Sequence, residues 1–352
     1  MPFDSEEQQF FDALFRQRRK HGVYRLVDAP HMESAIADTH CHPHLLPNPA
    51  LAFARCAVNG VSFLCNVVDV VEDDPATLEN VDAWLEDAKQ VLKEIAPADA
   101  GAGAGASTQP TPNLSAQVTP ELATQVATQP TPELATQASA QPAPQLPHVC
   151  FAVGCHPHNA KDFNDAAAQR LREILNNPRV RAIGEIGLDF HYDFSPRPVQ
   201  ENVFRQQLRL AHELNFPVVL HIREAHTQAL HILKEEGFPA AGTLLHCFNL
   251  GQKELEPWLE HDCYIGLGGP VTFKKSSEVR EAAKMVPLNR LVTETDAPYM
   301  TPEPMRGITC LPDHVIFTAD KLAQVRGCIT TQDRRAFFET LYDNARTFYG
   351  YE

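Results

Sequence analysis

Two histidines, His40 and His42, close the apolar stretch Ala35–His42. On a strand, residues two apart point the same way, so both imidazoles can face one point. Alone, so short a motif is as compatible with polar loop residues as with half of a metal site. The reading changes because other apolar runs end in the same chemistry. Val180–Asp189 carries Glu185, Pro217–His221 ends in His221, Gly242–His246 in His246, and Leu291–Asp296 in Asp296. Four imidazoles and two carboxylates suit Zn²⁺, Mn²⁺, Fe²⁺ or Co²⁺, and Mg²⁺ less well. Six such donors exceed the needs of one tetrahedral ion. They fit two divalent ions about 3.5–4 Å apart that share a carboxylate and a water, an arrangement that activates the water and stabilises attacking and leaving oxygens.

The elements that must position these donors are legible as a repeat. Apolar runs at 35–42, 61–67, 148–154, 180–189, 217–221, 242–246, 263–267 and 291–296 are strand candidates. Helical patterns separate them at 50–57, 78–95, 164–175, 199–214, 225–236, 255–260 and 278–285, and 312–325 and 334–348 close the chain. Uninterrupted apolar strands are buried on both faces, as in a parallel sheet covered by helices. The alternation predicts a (β/α)8 TIM barrel, whose functional residues gather at the C-terminal ends of the strands. An open doubly wound sheet is the alternative. It would not bring donors from the first, fourth, fifth, sixth and eighth strands to one point.

The rest of the chain sets limits. With 352 residues and 43% hydrophobic content, it can bury a large core. No apolar run reaches membrane-spanning length and no signal peptide is legible, so no membrane role is expected. Nine scattered cysteines without a Cys-x-x-Cys pair argue for reduced thiols and a cytoplasmic location. A net charge of −15 disfavours non-specific binding to nucleic acid, so any phosphate must be held by local basic groups or metal ions. Residues 1–34 read as an N-terminal helical extension, with an amphipathic helix over Ser5–Arg19 built on Phe11, Leu14 and Phe15. Residues 35–350 form the barrel. An Ala/Thr/Gln/Pro-rich insertion, 98–147, interrupts it; Thr119-Pro-Glu-Leu-Ala-Thr-Gln recurs there at Thr131. Such a composition predicts a disordered spacer with room for a weak protein-binding motif. It falls in an αβ connection, opposite the chemistry.

The ordered set of motifs resembles the TatD family of metal-dependent deoxyribonucleases, within the amidohydrolase superfamily. The segments are Asp38-Thr-His-Cys-His42, Gly154-Cys-His-Pro-His158, Gly184-Glu-Ile-Gly-Leu-Asp189, His221-Ile-Arg223, His246-Cys-Phe248, Glu294-Thr-Asp-Ala-Pro298 and Thr301-Pro-Glu-Pro-Met-Arg-Gly307. The resemblance covers residues 35–348 apart from the insertion. It implies that His40, His42 and Asp296 hold one metal, that His221 and His246 hold a second, and that Glu185 bridges them. It makes Asp296 the general base and Glu185 its catalytic companion. His156 and His158 would contact the phosphate or leaving group, Arg223 and Arg306 would clamp the phosphate, and Lys274 and Lys275 are further backbone contacts. The implied activity is a DNA phosphodiesterase of the 3′–5′ exodeoxyribonuclease type.

Two readings compete with it. One is a hydrolase of a small ester, amide, lactone or phosphotriester; many such relatives bridge their metals with a carboxylated lysine, where Glu185 stands here. The other is an interaction protein using the barrel as a scaffold, which the full donor set argues against. Three segments depart from the family pattern. Pro43-His44 replaces the usual Leu-Asp, making His44 a candidate neighbour of the first metal. Ile308-Thr309-Cys310-Leu311-Pro312 replaces a basic residue followed by Asn-Glu-Pro, and Glu224 replaces Asp. These changes bear on substrate choice rather than on the ligands.

Overall fold

The computed structural model describes residues 15–18, 23–95 and 144–351. Two short antiparallel strands, β1 (Arg16–Arg18) and β2 (Tyr24–Leu26), come first. Eight parallel strands follow, paired in chain order around a nearly closed barrel: β3 (Ile36–Cys41), β4 (Val61–Asp69), β5 (His148–Gly154), β6 (Val180–Asp189), β7 (Val218–Arg223), β8 (Thr243–Leu245), β9 (Tyr264–Leu267) and β10 (Leu291–Thr293). The helices between and after them are α1 (Pro49–Val58), α2 (Thr77–Ile95), α3 (Asp165–Ile174), α4 (Arg197–Leu214), α5 (His226–Glu236), α6 (Gln252–Leu259), α7 (Ser277–Met285), α8 (Val315–Val325) and α9 (Thr331–Phe348). The expected TIM barrel is the fold.

The seam between β3 and β10 is closed by side chains as much as by backbone. The Thr39 hydroxyl donates to the Thr293 carbonyl at 3.0 Å, and the Thr293 hydroxyl to the Ala37 carbonyl at 2.8 Å. Just above, the Asp296 N–H donates to the His40 carbonyl at 2.9 Å and the His42 N–H to the Ala297 carbonyl at 2.7 Å. These bonds tie together the backbones that carry three of the six candidate ligands.

Packing divides into a lumen and an outer layer. Ala37, Phe63, Cys65, Cys150, Ala152, Ala182, Val219, Leu244 and Val292 fill the lumen, and Phe348 and Tyr349 at the end of α9 join them. Ile36, Leu64, Ile183, Leu220 and Leu245 pack outward with helix residues such as Phe204 and Leu233. A regular strand keeps one parity throughout, so Ala37 facing inward would turn His40 outward. The register of β3 against β4 shifts between Asp38 and Cys41, and Cys41 joins the outer layer. The irregularity reverses the parity and turns His40 and His42 inward. β6 does the same: Ala182 faces the lumen, Ile186 and Leu188 face out, and the register shifts between Ile183 and Ile186. Glu185 and Asp189 thereby face inward.

Two expectations need adjustment at the chain's ends. Residues 5–14 of the expected N-terminal helix lie outside the described residues, and Arg16–Arg18 is a strand rather than its last turn. Phe15 is buried on its own account, edge-on to Phe317 at 4.9 Å, and its carbonyl accepts the Val27 N–H at 2.8 Å, extending the β1–β2 pairing. The insertion lies outside the described residues from 98 to 143. Its last residues are described: Leu146 packs on the core and Pro147 is buried. Replacing 98–143 with a short glycine–serine bridge, and keeping 144–147, is expected to leave catalytic turnover within about twofold, since long surface insertions weigh little on stability; a steady-state assay checks this.

Two histidines outside the donor cluster carry an acid liability. Burial depresses both His226 and His314 to about 4. His226 accepts the Trp258 indole N–H through Nδ1 at 3.2 Å, which requires the neutral ring. The unfolded chain binds a proton near pH 6.5 that the fold refuses until about pH 4, so stability falls as pH drops through that window. For His226→Gln, the loss in urea midpoint between pH 6.5 and 4 is expected to shrink, by an amount equivalent to at most about 3 kcal/mol.

Candidate metal centre

The six donors anticipated from sequence meet at the C-terminal rim of the barrel. Three groups of donor atoms lie within 4.8 Å of one another: His40, Glu185 and His246; His40, His42 and Asp296; and His156, Glu185 and His221. Glu185 sits at the centre. One carboxylate oxygen, Oε1, is 2.6 Å from His221 Nδ1 and 2.6 Å from His246 Nε2, and those nitrogens are 3.3 Å apart. The other, Oε2, is 3.5 Å from His40 Nε2. Asp296 Oδ1 lies 3.6 Å from His42 Nε2 and 3.9 Å from His40 Nε2. Asp296 adopts a left-handed backbone conformation, φ 60°, which aspartate tolerates better than most residues.

What lies behind each ring decides which nitrogen faces the centre. His42 Nδ1 is bonded to the Val67 carbonyl at 2.9 Å, so Nε2 is presented. Asp189 Oδ2 is 3.3 Å from His221 Nε2, which turns Nδ1 inward. Glu294 Oε1, 3.7 Å from His246 Nδ1, sits behind that ring and accepts the Cys247 N–H at 2.6 Å. A carboxylate or carbonyl behind a ligating imidazole fixes its tautomer and raises its basicity. His40 is fully buried, stacked on His246 at 3.9 Å, and neither ring nitrogen makes a hydrogen bond. Leaving a buried imidazole without a partner is costly. An imidazole held among carboxylates in this way suits a cation, so the donor set fits divalent metal ions.

The electrostatics of the cluster reinforce that fit. Burial pushes the Glu185 carboxyl up, but the imidazoles of His246, His221, His40 and His156 outweigh it and hold it well below the usual carboxylate range. Burial likewise raises Asp296, and the facing His42 ring with the neighbouring imidazoles overcomes it. Both carboxyls are therefore ionised at neutral pH. Burial, and then the adjacent His221 ring, press His156 well below the usual histidine range, so it is neutral.

The remaining anticipated residues surround the cluster unequally. His156 is drawn into it, with Nε2 3.8 Å from Glu185 Oε1, and its backbone N–H donates to Asp69 at 2.7 Å. His158 stands one step back, its Nε2 bonded to Asp189 Oδ2 at 2.8 Å. Arg223, the last residue of β7, lies over the Tyr192 ring at 4.6 Å, and Arg306, on the loop after β10, over the Phe273 ring at 4.0 Å. His44 turns to Asn66 at 2.8 Å and Asp73 at 3.2 Å, beside His42 rather than toward the donor centre.

Asp189 and Glu294 were quoted in motifs without a role. Parity was the available signal, since Asp189 is four residues from Glu185 and Glu294 two from Asp296. Two glycines make room for this inner layer. A Cβ at Gly187, whose φ is +145°, would lie 2.2 Å from the His221 carbonyl oxygen, and one at Gly266 would lie 2.4 Å from Glu294 Oε2.

Comparison with known proteins agrees with this architecture. The family model of TatD-related DNases matches residues 37–350. A Bacillus subtilis protein named as the metal-dependent hydrolase YabD is 38% identical over 194 residues, 53% of this chain and 76% of its own. The 3′–5′ ssDNA/RNA exonuclease TatD of Escherichia fergusonii is 34% identical over 212 residues, 58% of this chain and 79% of its own. The crystal structure of a TatD-family hydrolase from Entamoeba histolytica superposes with a TM-score of 0.67 at 16% identity, covering 92% of this chain and 100% of that one. With the family model running through nearly every barrel strand, the chain belongs to the TatD-related DNase family.

Proposed function

We propose that the protein is a two-metal phosphodiesterase that trims single-stranded DNA from its 3′ end. The observation that carries this reading is the convergence of His40, His42, Glu185, His221, His246 and Asp296 on one rim. Relatives named as exonucleases support the choice of substrate.

His40, His42 and Asp296 would hold one ion, His221 and His246 the other, and Glu185 both. Bound there, divalent ions would supply an activated water at neutral pH and positive charge on the phosphoryl oxygens. Asp296, ionised and at the edge of the cluster, orients the attacking water and takes its proton. His156 is neutral and beside the cluster, so its ring N–H can donate a hydrogen bond to the phosphate or to the leaving oxygen. Arg223 and Arg306 sit over aromatic rings, and their guanidinium N–H forks suit bidentate pairing with phosphate. These local cations answer the net charge of −15.

Metal-loaded protein is expected to release labelled mononucleotides from 3′-labelled single-stranded DNA. Turnover of an ester, lactone or phosphotriester panel with DNA untouched would move the assignment to a small-molecule hydrolase. Asp189→Asn is expected to weaken metal affinity about 10–100-fold by loosening the His221 ring, as read by competition with a chelator.

A further inference from the structure

Beside the cluster, two large aromatic side chains stand in water. Tyr192 is 47% exposed and Phe194 57%. Their rings lie nearly parallel, 8° apart with centroids at 5.2 Å. Exposed aromatics scattered singly are ordinary; a stacked pair on a braced loop beside a reaction centre is not.

The bracing is specific. Asp189 Oδ1 accepts the N–H groups of His191 at 2.9 Å and Tyr192 at 3.0 Å. The hydroxyl of fully buried Ser195 donates to the His158 carbonyl at 2.7 Å and accepts the Lys161 N–H at 3.0 Å. Asp193, between the two rings in sequence, takes both arms of Arg197 at 2.9 Å. The pair is also continuous with the metal centre. Phe194 meets His158 at 4.8 Å, His158 meets His156 at 4.3 Å, and His156 meets His221 at 4.4 Å. On the other side, Arg223 rests on Tyr192.

A ligand for this surface must have a flat π-face, must be joined to an anion that Arg223 can meet, and must lie a few ångströms from a reacting phosphate. A nucleobase in a single strand meets all three conditions. We infer that the exposed Phe194 ring, backed by Tyr192, is a stacking platform for the base adjoining the scissile phosphate. The inference rests on the phosphodiesterase reading. Stacking uses the π-face that every base carries, so the platform holds any base, as aromatic platforms on single strands do. Stacking on it competes with a base's pairing and stacking in a duplex, so the platform favours single strands.

The test uses metal-loaded protein and single-stranded phosphorothioate oligonucleotides, with either a normal base or an abasic residue next to the 3′-terminal linkage. Binding is followed by fluorescence anisotropy and cleavage is assayed on the natural phosphodiester. Phe194→Leu and Tyr192→Leu are expected to weaken binding of the intact strand about tenfold or more. Wild type should lose a similar factor on the abasic strand, and the variants should lose nothing further there. If the variants bind the intact strand as wild type does and still cleave DNA, the platform is refuted and the phosphodiesterase stands. Additive losses for ring and base would place the base elsewhere and refute it too. If wild type neither binds nor cleaves any strand, the phosphodiesterase reading fails and the platform with it.

Discussion

Asp296→Asn is expected to lower hydrolysis at least about a thousandfold while the protein stays folded. Asparagine keeps the shape of the side chain and loses its charge. Three effects then act together. The His42 and His40 imidazoles lose the anion that faces them at 3.6 and 3.9 Å. The first of the two proposed ions would lose its only carboxylate apart from Glu185. The attacking water loses its base, a contribution of about 10²–10⁴-fold on its own. Little of this touches the core, because Asp296 lies beyond the end of β10 and its backbone N–H bond to His40 is unaffected by the substitution. Circular dichroism and the thermal midpoint should match wild type within a few degrees. Full activity in a metal-reconstituted Asp296→Asn enzyme would sink the proposed role.

Gly187→Ala is expected to damage fold and chemistry at once. The added methyl meets the His221 carbonyl oxygen at 2.2 Å, a backbone atom that cannot swing away. It also sits on a residue whose φ of +145° L side chains rarely adopt. Backbone strain and overpacking together are expected to cost about 3–5 kcal/mol. The clash is relieved only by parting β6 from β7 at the pair Gly187–His221, and those strands carry Glu185 and His221. Metal affinity should therefore fall along with the urea midpoint. An alanine variant as stable as wild type, with unchanged metal affinity, would show that the two strands are not packed as described.

The barrel was legible because its strands are buried on both faces. Runs such as Val61–Val67 and His148–Gly154 read directly as strands, and β5 occupies the same residues as its run. The convergence of donors was legible because the fold gathers strand ends. Sequence spacing did not reveal how the donors reach the lumen. The His40 and His42 spacing suggested a regular strand, yet the parity reversals in β3 and β6 turn those histidines and Glu185 inward. Such irregularities arise from register against the neighbouring strand, which no local pattern encodes. The same holds for Asp189 and Glu294, whose places behind His221 and His246 exist only once β6–β7 and β8–β10 are assembled. At the N-terminus, the spacing of Phe11, Leu14 and Phe15 pointed to a helix running to Arg19, while Arg16–Arg18 is a strand and Phe15 packs beside it on Phe317.

The two parity reversals also make the barrel a graftable part. Below them, the lumen reads its strands in one frame, with Ala37 and Ala182 inside; above them, the rim reads the same strands in the other. A designer could therefore refill the lumen with larger residues, or splice in the lower halves of strands from another parallel barrel, without re-aiming a single ligand. Straightening β3 between Asp38 and Cys41 would do the opposite: with Ala37 inside, a regular strand turns His40 and His42 toward the helices.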